Sequence, residues 1–69
     1  MNGIDILKAR KAAKLQGRPV SQEELRRKLG LSHRATIVDI EIGRVEVTDG
    51  FVHHAIAVIE ELASQKPAA

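Results

Sequence analysis

A chain of 69 residues makes at most one small domain, and without cysteine it has neither a disulfide framework nor a thiolate zinc site to hold it together. Phe51 is the only Phe, Trp or Tyr, so there is no row of rings on which single-stranded bases could stack, and any nucleic-acid partner is expected to be duplex. The net charge is +2 but unevenly spread: residues 1–44 hold ten Lys/Arg against five acids, residues 45–69 one against four, which directs a polyanion partner to the first part.

Asp5, Lys8 and Arg10 interrupt the apolar run near the N-terminus, so no signal peptide is expected, and no stretch approaches the roughly 20 apolar residues of a membrane span. The expected setting is cytoplasmic and away from the membrane. No internal repeat or linker divides the chain, and residues 1–69 read as one domain.

The first helical stretch is "IDILKARKAAKLQ". Ile4, Leu7, Lys11 and Leu15 fall on one face, Ile6, Ala9 and Ala13 on another, so this helix is expected to touch two neighbours, and Gly17 and Pro19 to end it. "VSQEELRRKLG" carries a clear helix start. Ser21 and Glu24 form a capping box, Val20 and Leu25 a hydrophobic staple, Leu25 and Leu29 a buried stripe, and Gly30 supplies the C-terminal stop.

"SHRATIVDIEIG" follows, only Gly30, Leu31 and Ser32 separating the two helices, with Ser32 as its expected N-cap and Gly43 as its end. Ile37 and Ile40 share the inner face; Ala35, Val38, Asp39 and Ile42 point the other way. "RVEV" alternates like a short strand. Thr48 or Asp49 then caps "GFVHHAIAVIEELAS", where Phe51, Ala55, Ile59 and Leu62 form a stripe widened by Val52, Ile56 and Ala63, with Val58 beside it. Residues 65–69 are expected to fray.

Catalysis finds little material. The three serines and two threonines mostly occupy cap positions, and no glycine-rich phosphate loop is present. His54 and Glu61 lie seven apart, whereas ligands of one ion on a helix stand three or four apart, so no metal site, cofactor or enzymatic activity is expected.

The letters "SQEELRRKLGLS…TIVDIEIGR" resemble the Cro/phage-repressor (Xre-type) helix-turn-helix family, whose pattern runs approximately T/S-Q-E-E-L-A-x-x-L-G-V-S-x-x-T-I-x-x-I-E-x-G. Gln22, Leu25, Leu29, Gly30, Ser32, Thr36, Ile37, Ile40, Glu41 and Gly43 agree in order across residues 20–44. The chain departs from the pattern at three places. Arg26 stands where the family has alanine, the step from Gly30 to Ile37 is one residue longer, and "KLQGRPV" lengthens the first connection.

The resemblance implies an all-α, compact bundle of four to five short helices, lambda-repressor-like, with the helix-turn-helix at about 21–43. It implies a duplex-DNA-binding transcriptional regulator, expected to repress from a palindromic operator as a homodimer. Arg34 is the leading base reader, since a guanidinium donates twice to guanine. Thr36 and Val38 are placed for thymine methyls, and Asp39 for cytosine N4 or for orienting Arg34. Gln22, Ser32, His33, Arg27, Lys28 and Arg44 are candidate phosphate contacts, Gln22 having bracing of the third stretch as its alternative role. Glu41 is expected to pair with Arg10 of the first stretch.

Surplus apolar residues in so small a domain point to a dimer surface on the fourth helix and "RVEV", through Phe51, Val58, Ile59 and Leu62. The competing reading is a protein-interaction module, antitoxin-like or adaptor, favoured by Val38 and Ile42 on an outer helix face.

Overall fold

Local start signals set where each helix begins. The structure, a computed structural model, describes residues 2–15 and 18–64. The expected fraying of 65–69 and the helix stop at Gly17 lie outside them. Asn2 opens α1 (Gly3–Ala12), its N–H donating to the Asp5 carboxylate at 2.8 Å. Ser21 opens α2 (Gln22–Leu29) with both halves of the capping box formed. Its hydroxyl accepts from the Glu24 N–H at 3.0 Å, and its own N–H donates to the Glu24 carboxylate at 3.3 Å. Gly30 ends α2 at φ 74°, in the left-handed region where only glycine sits without strain.

α3 (Arg34–Glu41) starts one residue later than expected. His33 is its N-cap, with no side-chain cap, and the Thr36 N–H donates to the His33 carbonyl at 3.2 Å. Ser32 therefore stays in the connection, exposed. α4 (Asp49–Ser64) is capped by Thr48, whose hydroxyl accepts the Phe51 N–H at 3.1 Å.

Two expectations change. α1 stops at Ala12, and the chain after it forms a two-residue ladder instead of another helical turn. β1 (Lys14–Leu15) pairs antiparallel with β2 (Arg18–Pro19), Lys14 opposite Pro19 and Leu15 opposite Arg18. β1 lies against α4, so tertiary contact overrides the helical propensity of "AAKL" here. "RVEV" is no strand. The Arg44 and Val45 N–H groups both donate to the Asp39 carbonyl, at 2.9 and 3.3 Å, wrapping the chain onto the end of α3.

α4 is the centre of the core. It supplies Val52, Ala55, Val58, Ile59 and Leu62, against which pack Ile6, Val20, Leu25, Ile37 and Ile40 from the rest of the fold. Leu29 and Leu31 are half-buried against the same cluster. The radius of gyration is 11.5 Å, close to the roughly 11 Å of a compact chain this size. No helix among the described residues is long and apolar enough to cross a membrane.

The core placement removes the α4 part of the dimer surface expected from sequence, while Arg44, Val45 and Glu46 of its "RVEV" part are exposed. Val58, Ile59 and Leu62 are 8%, 0% and 5% exposed. Phe51 is half-buried against the core. The surplus apolar residues of α4 are what a four-helix core needs at its middle, so they face inward within one chain.

Candidate nucleic-acid interface

The position of α3 is fixed by one buried carboxylate. Glu41, 2% exposed, receives the Arg10 guanidinium through two bonds, Nε to Oε2 at 2.8 Å and Nη2 to Oε1 at 3.0 Å. Arg10 also donates from Nη1 to the Val20 carbonyl at 3.1 Å, and Gln22 donates from Nε2 to Glu41 Oε1 at 2.9 Å. α1, the chain entering α2, and α2 itself thus converge on the last turn of α3. A fork-shaped guanidinium fixes the angle of a carboxylate as well as its distance. The pairing of Glu41 with Arg10 is present, and Gln22 takes the bracing role.

Beside it, Gly3 lets α1 approach α3 closely. A Cβ built there would stand 1.8 Å from the Ile40 carbonyl oxygen.

With Ile37, Ile40 and Glu41 turned inward, the opposite face of α3 follows from the helical repeat. At about 100° per residue, Ala35 and Asp39 lie at the middle of the outer face. Arg34 and Val38 sit on one flank, about 40° apart, while Thr36 is about 160° from Arg34 and falls on the other flank. Arg34 and Ala35 are exposed; Thr36, Val38 and Asp39 are half-buried. The structure brings Arg34 and Val38 together and separates Thr36 from them. Ala35, the smallest side chain at the most outward position, was missed because it has no polar group; its signal was its place opposite Ile37 and Ile40.

Several cations of α2 answer to acids of this chain. Arg26 ion-pairs with Glu23 and donates from Nη1 to the Leu31 carbonyl at 2.8 Å. Arg26 therefore holds the turn, where the resembling family has alanine. Arg27 Nε stands 3.9 Å from Glu23, and Lys28 Nζ stands 4.0 Å from Glu61 of α4. Such loose surface pairs contribute little and leave Arg27 open to solvent. Arg34 and Arg44 are exposed and form no ion pair with the described residues. Ser32 and His33 are exposed at the start of α3.

Among the described residues no group of three His, Cys, Asp or Glu side chains is arranged to hold a metal. No family model, curated protein or solved structure matches this chain.

Proposed function

We propose that this chain is a sequence-specific duplex-DNA-binding regulator of the helix-turn-helix kind, acting as a homodimer on a palindromic operator. The observation that carries the reading is the combination at α3: a helix pinned from behind at Glu41 by Arg10 and Gln22, with Ala35 bare at the middle of its outer face and Arg34 exposed on its flank. A helix that reads bases must hold its register against the groove, and a buried bidentate ion pair supplies that rigidity.

In this reading α2 crosses the phosphate backbone and α3 enters the major groove. Arg34 reads guanine, Val38 beside it meets a thymine methyl, and Asp39 accepts from a base amino group. The small Ala35 between them lets the helix approach the base edges. His33, Ser32, Arg27 and the uncapped N–H groups of α3 face phosphate. Thr36, on the other flank, is placed for the opposite wall of the groove.

A second reading, a module that grips a protein, rests on Ile42, which is 57% exposed just beyond the outer face of α3. One experiment separates the two. Selection from a pool of random duplexes should enrich a palindrome whose half-sites lie about 34 Å apart. A chain that enriches no duplex is left with the protein-binding reading.

A further inference from the structure

Ile42, Val45 and Ile4 are the large apolar side chains that the described residues leave exposed, at 57%, 46% and 40%. They come from the end of α3, the loop after it and the start of α1. Even so, they line one open depression of about 550 Å³, together with Val47, Asn2 and Glu46. An apolar cluster gathered on one face of so small a domain is a surface that a partner covers.

Charge says which partner. Arg44 and Glu46 stand on either side of Val45, both exposed and neither ion-paired among the described residues. The geometry points to a second copy of this chain, docked about a two-fold axis that crosses the 44–47 segment at Val45. In a two-fold interface the same patch meets itself and every contact is reciprocal. An axis across the segment sets Arg44 of each copy against Glu46 of the other, with the apolar cluster between the two ion pairs. An axis along the segment would set like charge against like, which repels.

The assignment draws Arg44 toward the partner copy and away from the phosphate set. A stable interface takes about 800 Å² from each partner, and the chain exposes 4567 Å² in all. The apolar cluster therefore forms the centre and polar neighbours the rim, giving a concentration-dependent dimer. This deepens the dimeric half of the proposed function. Its test contains no DNA, so its failure leaves the base-reading surface of α3 untouched.

Sedimentation velocity of the full chain from about 5 to 500 µM should show a mass rising from 7.6 kDa toward twice that value. Ile42→Glu should hold the chain at monomer mass throughout, with an unchanged circular-dichroism spectrum because the side chain is exposed. Arg44→Glu and Glu46→Arg should each weaken association about tenfold. The double exchange Arg44→Glu/Glu46→Arg should restore it, since exchanged charges still meet across a two-fold, and this comparison decides the matter if Ile42→Glu disturbs the fold. A wild type that stays monomeric over the whole range overturns the proposal. So does a dimer that survives Ile42→Glu in a folded chain, or a double exchange no tighter than either single variant.

Discussion

Glu41 shows how one residue can matter more to the fold than its charge suggests. Its carboxylate is buried and answered by Arg10 and Gln22, so removing one partner leaves the other charge buried and unpaired. Arg10→Ala or Glu41→Ala should each cost about 3–5 kcal/mol, measured by urea unfolding, a large part of a small domain's stability. The double variant Arg10→Met/Glu41→Leu should recover most of that loss, because an apolar pair needs no desolvation. Arg34 makes the contrasting case. It is exposed and unpaired among the described residues, so Arg34→Ala should leave the unfolding curve within about 0.5 kcal/mol. On the selected operator it should cost roughly 1–3 kcal/mol of binding and relax preference at one base pair, read by titration against single-base variants. The Arg10–Glu41 pair was legible in sequence only through the family resemblance. Helical periodicity gave that helix two apolar faces, and the one through Ile6, Ala9 and Ala13 does pack against the core, but periodicity had no place for Arg10. The buried residues of α1 are Gly3, Ile6 and Arg10, because a paired guanidinium can be buried where hydrophobicity alone would never place it.

At the scale of elements, the strongest local signals gave the most dependable boundaries. The Ser21–Glu24 box and Gly30 frame α2, and Thr48 starts α4, because caps answer backbone groups within three residues and need no distant partner. Where no such signal exists, the boundary depends on what the element packs against. α1 gives way to β1 because the ladder lies on α4, and α3 starts at Arg34 although Ser32 offers a cap. Two glycines test this view in different ways. At Gly30 an added Cβ meets nothing within 4 Å, so Gly30→Ala carries only the left-handed backbone cost, about 1–2 kcal/mol. At Gly3 the added carbon collides with the Ile40 backbone, so α1 must shift off α3. Gly3→Ala should therefore destabilise the chain more than Gly30→Ala does, although alanine is the better helix former. Parallel thermal melts of the two variants check the order.

For the whole molecule, the division between a basic front and an acidic end was plain in sequence, but its use was not. Much of the positive charge on α2 sits near this chain's own acids, Glu23 and Glu61. If the chain binds DNA as proposed, with Arg27 the cation on phosphate in each copy, a dimer on its operator should show a log–log salt slope near −2, or about a tenfold loss between 50 and 200 mM salt. A slope near zero in a binding titration would count against DNA as the partner. The apolar surplus was also visible in sequence, but of its two expected sites only Val45 in "RVEV" is exposed, since a helical wheel cannot say which apolar face of α4 the other helices will cover. Ile59→Asp should accordingly unfold the chain, while Ile42→Glu should only separate two copies, as circular dichroism and mass will show together. The convergence of three parts of the chain on Glu41 bears finally on how the fold opens. None of α1, α2 or α3 can detach without stranding a buried donor or acceptor, so their backbone amides should exchange with deuterium as one cooperative unit. The outer face of α3 therefore cannot be loosened locally: the helix is either fully held or lost with the rest of the fold.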